Sequence, residues 1–158
     1  MAASGADAGE LGRALTAALL DVARQMVADG EGASRFAHYT VTGAADDGEA
    51  RTAVRAIGED ILVRCALHGS DPNWGRMLAR AGTCGVALDP DRIGVWIGPA
   101  QLVAGGVEVP GARSDALTAL REREVEIRID LAAGSGRAEL YASSLSPEYV
   151  SFNAEYTT

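Results

Sequence analysis

The alternation of apolar and charged residues from Val125 to Asp130 is the pattern that most limits what this chain can fold into. Apolar residues at every second position, with charged residues between them, predict a β-strand that is buried on one face only. Such a strand needs partner strands and a covering layer. Apolar residues recur at helical spacing near the start of the chain and predict an amphipathic helix over 10–28: Leu11, Leu15, Leu19, Val22 and Met26.

The rest of the chain carries further short elements separated by glycine and proline. Further strands are predicted over 36–42, 85–88, 93–97, 101–109 and 138–143, and further helices over 47–58, 74–82 and 110–121. The apolar run Ile61–Leu67 is strand-like, and the tail from Tyr149 to Ala154 resumes a strand-like alternation. A length of 158 residues suits one domain. We therefore predict a single α/β domain over residues 1–158, with a mixed or antiparallel sheet and helices packed on it.

Composition excludes several classes of function. The net charge of −8 and the absence of a basic run argue against nucleic acid and anionic membranes as partners. No apolar stretch approaches the roughly 20 residues of a membrane span, and the first residues do not resemble a secretory signal. Cys65 and Cys84 are too far apart for a redox pair, and His38 lies within a strand without a neighbouring ligand. We expect a cytoplasmic protein with free thiols and no metal.

Two stretches could contribute to a functional site. In the first, HGSDPNWGRMLARAG at 68–82, Pro72 and Asn73 suit a turn and a helix cap, and Trp74 would anchor the helix entrance. His68, Ser70 and Asp71 are the residue types of a hydrolase triad, but so close together in one turn they cannot act in series. In the second, GEGA at 30–33, Glu31 is either a solvated loop carboxylate or a group exposed to a bound amine.

Three segments together are similar to a known family: 27–36 (VADGEGASRF), 67–82 (LHGSDPNWGRMLARAG) and 149–158 (YVSFNAEYTT). They resemble the C-terminal part of the β chain in the ornithine acetyltransferase family, the bifunctional glutamate N-acetyltransferases of arginine biosynthesis. The resemblance implies the C-terminal portion of a self-cleaving fold. Its members cut an Ala-Thr bond, and the freed threonine carries an acetyl group from N2-acetylornithine to glutamate. This chain contains no Ala-Thr dipeptide, so the nucleophile is expected elsewhere.

The resemblance also implies a set of site residues. Glu31, Asn153 and Thr158 match substrate-binding positions, and a structural motif near the site comprises Asp71, Pro72, Asn73, Trp74 and Arg76. The resemblance supplies no catalytic residue in this chain and no cofactor, although acetyl-CoA could serve as a co-substrate. It implies an α chain and the remainder of a β chain as partners, in a heterotetramer of two α and two β chains that acts on small amino acids. The isolated chain is then expected to be inactive, with the tail held as an ordered strand.

The sequence departs from the family pattern near its C-terminus. Tyr141, Ser143 and Ser144 stand where the family commonly has Trp, Cys and Asp, Pro147 occupies a position that is usually not proline, and Arg35 replaces a frequent Lys. These changes leave the substrate open. A stand-alone, non-catalytic module that binds amino acids or another protein is the alternative function. A related self-cleaving aminopeptidase fits less well, because the DPNWGR and NAEYTT segments resemble the transferase branch.

Overall fold

A mixed six-stranded sheet forms the centre of the structure, a computed structural model that describes residues 5–155. The strands are β1 (Phe36–Ala44), β2 (Gly94–Ile97), β3 (Ala100–Ala104), β4 (Val107–Glu108), β5 (Glu124–Asp130) and β6 (Gly136–Ser143). Their order across the sheet is β4-β3-β2-β5-β1-β6. Only β1 and β5 run parallel, and the other neighbours are antiparallel. The predicted α/β fold with a mixed sheet is confirmed.

Six helices accompany the sheet in the described residues: α1 (Gly5–Ala28), α2 (Asp47–Gly58), α3 (Ile61–His68), α4 (Trp74–Thr83), α5 (Ala112–Ala119) and α6 (Pro147–Glu155). Helix α2 packs against β1 and β6, whereas α5 packs against β2 and β3. Asp46 caps α2, since its side chain accepts a hydrogen bond of 2.9 Å from the Glu49 backbone N–H.

The core lies between one face of the sheet and the helices α2, α3, α4 and α5. The alternation along β5 works as predicted, because Val125, Ile127 and Ile129 are buried while Glu126 and Arg128 are exposed on the other face. Burying one such apolar side chain stabilises the fold by about 1.5–3 kcal/mol. The covered face of the sheet is therefore apolar, and the opposite face carries the polar side chains.

The run Ile61–Leu67 is a helix, so its strand-like prediction is wrong. The Asp60 side chain accepts hydrogen bonds from the Leu62 and Val63 backbone N–H groups at 2.9 and 3.1 Å, which caps a helix start. Burial follows helical spacing, with the buried residues three or four positions apart: Val63, Ala66 and Leu67. A short apolar run has no period that separates a strand from a buried helix.

The tail is also helical, which corrects the predicted strand over 149–154. Ser146 and Pro147 form a helix start, in which the Ser146 hydroxyl accepts a 3.1 Å hydrogen bond from the Tyr149 backbone N–H and Pro147 takes the first helical position. Glu148 follows in the first turn, where a negative charge is favourable. These local signals outweigh an alternation of only six residues.

Two smaller predictions differ from the structure in the region of short strands. Residues 85–88 form no strand and belong to a loop that leads into β2. The single predicted strand over 101–109 is a hairpin of β3 and β4, because Gly105 and Gly106 adopt left-handed backbone angles with φ of 58° and 73°.

Two further observations on the described residues concern membrane-spanning helices and metal sites. Across residues 5–155, no helix has both the length and the apolar character needed to cross a membrane. The same residues contain no group of three or more His, Cys, Asp or Glu side chains placed to hold a metal ion. Cys65 and Cys84 are free thiols, as predicted.

Candidate substrate-binding site

The loop that carries Glu31 lies directly against the start of α6. Its neighbour Gly32 has a φ of 63°, and a Cβ atom placed on it would lie 2.8 Å from both the Ser146 Oγ and the Tyr149 backbone nitrogen. Both the backbone angle and the close approach therefore favour glycine at this position. The sequence order Gly-Glu-Gly brings a carboxylate up to a helix that lies more than a hundred residues further along the chain.

Asn153 and Glu31 are in direct contact. The Asn153 Nδ2 donates hydrogen bonds to the Glu31 Oε2 at 3.1 Å and to the Tyr149 carbonyl oxygen, one helical turn back, at 2.9 Å. Two of the three predicted substrate-binding residues thus come together in the structure. Glu31 is exposed, so its carboxylate remains accessible to a ligand while Asn153 fixes its orientation.

Negative charge accumulates beside this contact. Hydrogen bonds from its own backbone N–H and from Ser146 lower the pKa of Glu148, and the neighbouring His68 adds to that shift. Glu148 also lines a shallow groove of about 460 Å³ along α6, together with Ser151, Phe152 and Glu155. Carboxylates on both sides of Asn153 favour a ligand that carries a positive charge.

Hydrogen bonds to the C-terminal end of α3 hold the Glu31 loop in place. The Arg35 Nη1 donates to the backbone carbonyl oxygens of Leu67 and His68 at 3.3 and 2.6 Å. The Ser34 Oγ lies 3.1 Å from the His68 Nδ1. Sequence reasoning missed this link, because residues 34 and 68 belong to separate motifs and nothing in their spacing relates them.

The predicted structural motif of residues 71–76 mainly anchors α4. The Asn73 side chain caps this helix by accepting a 3.3 Å hydrogen bond from the Arg76 backbone N–H, and the Trp74 Nε1 donates to the Glu108 Oε2 at 2.8 Å. The Arg76 Nη1 reaches the Leu62 carbonyl oxygen at 2.8 Å, and Asp71 forms an ion pair of 3.7 Å with Arg113. Pro72 is buried in this turn.

These five residues make no hydrogen bond to Glu31 or Asn153 within the described part of the chain. Their link to the site passes through His68, which ends the helix just before the motif and contacts Ser34. On α4 itself, Met77 and Ala81 are buried, and Trp74 and Leu78 pack partly buried against the core. The predicted packing of Trp74 at the helix entrance is confirmed.

Comparison with known proteins decides the family. The model of the ArgJ family matches residues 1–158. The chain belongs to the ArgJ family. It is 40% identical over 157 residues to the arginine biosynthesis bifunctional protein ArgJ of Syntrophotalea carbinolica, covering 99% of this chain and 40% of that protein. The ArgJ of Mycobacterium bovis is 43% identical over 138 residues, which cover 87% of this chain and 33% of that protein.

A solved ArgJ structure has the same fold. The crystal structure from Bacillus halodurans matches with a TM-score of 0.92 and 32% sequence identity, covering 99% of this chain and 74% of that chain. The chain spans about two fifths of the length of the ArgJ relative from Syntrophotalea carbinolica. Family and fold thus agree with the resemblance carried by the three sequence segments.

The residues that the sequence analysis expects to differ from the family pattern have structural roles in this chain. Ser144 is buried, and its backbone N–H donates a 2.8 Å hydrogen bond to the Arg35 carbonyl oxygen, which ties the end of β6 to the start of β1. The Ser143 carbonyl oxygen and hydroxyl both accept from Arg64, at 2.8 and 3.1 Å. Tyr141 stacks on His38 with the ring centroids 4.5 Å apart. Pro147 takes the first position of α6.

Thr158, the third predicted substrate-binding residue, lies outside the described residues 5–155. Asn153 sits on the last turn of α6, which ends at Glu155. The geometry of the site therefore rests on Glu31, Asn153 and the elements that position them.

Proposed function

We propose that this chain supplies substrate contacts to an acetyltransferase site of the ArgJ type, in which an acetyl group passes from N2-acetylornithine to glutamate. The hydrogen bond between Asn153 and Glu31 carries the proposal, because it orients an exposed carboxylate beside a second one on α6. Glu31 would pair with the cationic side chain of ornithine, and Asn153 and Thr158 would bind its polar ends.

The transfer itself needs a nucleophile that these 158 residues do not include. In the proposed reaction, a threonine hydroxyl attacks the acetyl carbonyl, the C–N bond to ornithine breaks, and the hydroxyl proton passes through a base to the departing amine. The amine of glutamate then attacks the acyl-threonine ester, the C–O bond breaks, and the threonine regains a proton. Acetyl-CoA could supply the acetyl group as a co-substrate through the same ester.

The apolar face of α1 supports a partner for this chain. Leu11, Leu15, Leu19 and Met26 are more than half exposed, although they lie at the spacing of a buried helix face. Monomeric proteins rarely leave such a stripe uncovered. We propose that further ArgJ sequence, an α chain and the remainder of a β chain, covers α1 and brings the nucleophile to Glu31. The assembly would be a heterotetramer.

Titration of the 158-residue chain with ornithine tests the binding role of Glu31. Glu31→Gln should weaken binding about tenfold or more, since a hydrogen-bonded ion pair is worth about 1.5–3 kcal/mol. Glu122→Gln is the matched control, because Glu122 is also exposed and makes no side-chain hydrogen bond among the described residues. Equal affinities of wild type and Glu31→Gln would refute the proposed role.

The source of the nucleophile is tested separately. The DNA upstream of codon 1 should encode, in frame, a segment with an Ala-Thr pair. The purified chain should form no N-acetylglutamate from N2-acetylornithine and glutamate. Turnover by pure chain of this length would contradict the proposal.

A non-catalytic amino-acid-binding module is the second candidate function. The closed core between the helices and the sheet favours it, because such a core can fold without a partner. A monodisperse chain that binds ornithine, with no in-frame segment upstream, would support the module. Aggregation through the apolar face of α1 would support the larger enzyme instead.

A further inference from the structure

The face of the sheet opposite α2 and α5 carries a hollow of about 540 Å³. Its lining includes His38 and Thr40 on β1 and side chains from β2, β5 and β6. Hollows of about 300–1,000 Å³ are the usual size for small-molecule sites. This one shares no lining residue with the contact between Glu31 and Asn153, so it is independent of the proposed function.

Most charged side chains on this face already have partners. Arg137 donates to Glu139 at 2.6 Å, and the Glu139 carboxylate also lies 3.1 Å from the His38 Nε2. At one end of β5, Glu124 forms an ion pair with Arg24 of α1. At the other end, the Asp130 side chain accepts a 3.0 Å hydrogen bond from the Ala132 backbone N–H.

In the part of this face that the structure describes, one cation and one anion make no ion pair, and both line the hollow. Within residues 5–155, neither the Arg128 guanidinium nor the Glu126 carboxylate makes an ion pair or a side-chain hydrogen bond. They lie two positions apart on β5 and project from the same face, which places their backbones about 6.6 Å from each other. A ligand that carries an anionic group and a cationic group close together could pair with both side chains.

The position of the Arg128 guanidinium suits the binding of a carboxylate. Its guanidinium lies over the Trp96 ring, 3.8 Å from the ring centroid, and Trp96 is directly opposite Arg128 in the pairing of β2 with β5. Stacking fixes the plane of the guanidinium and leaves its N–H edge free to bind a carboxylate with two hydrogen bonds.

Glu126 lies beside a rigid pair of rings. His38 is directly opposite Glu126 in the pairing of β1 with β5, and its ring stacks on Tyr141 at an interplanar angle of 16°. Because Glu139 and Tyr141 both hold His38 in place, the imidazole forms a fixed wall next to the free carboxylate. An ammonium group fits this position.

We propose that the hollow binds a small zwitterion of the α-amino-acid type, with its carboxylate on Arg128 and its ammonium group beside Glu126. The side chain of the ligand would extend over Thr40 or along Trp96. The unpaired Arg128 and Glu126, in a hollow of suitable size, carry this assignment.

Nuclear magnetic resonance titration of the ¹⁵N-labelled chain tests the site. The probe is L-glutamine, compared with N-acetyl-L-glutamine, which lacks the ammonium group, and L-glutamine amide, which lacks the carboxylate. L-Glutamine should shift the Trp96 indole N–H signal in a saturable way, and each analogue should bind about tenfold more weakly or worse. The Trp96 indole lines the hollow and Glu31 does not, so this readout is separate from the proposed function.

Matched variants locate the binding. Arg128→Gln and Glu126→Gln should each weaken L-glutamine binding about tenfold or more, and Arg128→Lys should lose part of the affinity, because the planar fork and the stacking are lost. The controls Arg121→Gln and Glu10→Gln remove the same charges at exposed positions that do not line the hollow, and both should bind L-glutamine normally. Dispersed amide spectra of the variants show that they fold.

Three results would overturn the proposal. One is the absence of a saturable shift at millimolar L-glutamine. The second is equal affinity of Arg128→Gln and wild type. The third is a set of shifts that maps to residues around Asn153 rather than to β1, β2 and β5.

Discussion

Replacing Gly32 by alanine tests whether the Glu31 loop and α6 depend on each other. The change should cost about 1–2 kcal/mol from the left-handed backbone alone, because Gly32 has a φ of 63°. The added Cβ would also lie 2.8 Å from the Ser146 Oγ and the Tyr149 nitrogen, the two atoms of the α6 cap. Losing that cap costs α6 about 1 kcal/mol more. A difference of this size corresponds to about a fivefold faster hydrogen exchange at the Tyr149 amide.

Gly85→Ala is the matched control for this experiment. Gly85 has a φ of 81°, and a Cβ atom placed on it meets nothing within 4 Å. Gly85→Ala should lose about 1–2 kcal/mol in urea unfolding, which isolates the backbone cost. Gly32→Ala should lose about 1 kcal/mol more, because it also disturbs the α6 cap. Only Gly32→Ala should speed exchange along α6 and shift the Asn153 side-chain amide signals. Equal exchange at Tyr149 in both variants would show that the loop and the helix are independent.

Changes at three further residues test the packing and the electrostatics. Trp74→Ala should destabilise the fold by about 3 kcal/mol in urea unfolding. Trp74→Phe keeps an aromatic ring but loses the hydrogen bond to Glu108 and part of the indole packing, so it should cost about 1–2 kcal/mol; ornithine binding should be unchanged in both. Tyr39→Phe should leave stability unchanged or raise it by up to about 1 kcal/mol, because the buried Tyr39 hydroxyl has no hydrogen-bond partner among residues 5–155; a larger loss would mean that the hydroxyl is bonded. Glu139→Gln should be less stable than wild type at pH 7 by less than about 1 kcal/mol. The hydrogen bond from Arg137 lowers the pKa of Glu139, so its contribution is present above the ordinary carboxyl pKa and is lost as the pH falls through the folded value; thermal unfolding from pH 7 to pH 3 should show the two proteins converging.

Elements with several agreeing local signals were predictable from the sequence. β5 has a clear period of two, and α2 combines a cap at Asp46 with apolar residues at helical spacing and a glycine at its end. The misassigned elements had conflicting signals. Ile61–Leu67 is apolar throughout, so its helix depends on the single cap at Asp60. In the tail, Ser146 and Pro147 start a helix, although the short alternation of apolar and polar residues that follows is typical of a strand.

The site was less accessible to sequence reasoning than the fold. The spacing of residues gives no reason for Glu31 to meet Asn153, 122 positions away, and only the family resemblance linked them. No feature of the sequence indicated the contact between Ser34 and His68. Arg128 and Glu126 lie on the exposed face of their strand, as the alternation predicts. The sequence did not show that the charged residues around them form ion pairs while these two form none. Cross-strand partners depend on sheet order, which a single strand does not encode.

The role of Glu31 in acetyl transfer is tested most directly in a chimera, in which residues 1–158 replace the matching part of an ArgJ relative. The rate of N-acetylglutamate formation from N2-acetylornithine and glutamate is the measurement. The chimera should be active, Glu31→Gln should lower kcat/KM about tenfold or more, and Glu122→Gln should leave it unchanged. An active chimera in which Glu31→Gln keeps the full kcat/KM would contradict the proposed role of this chain.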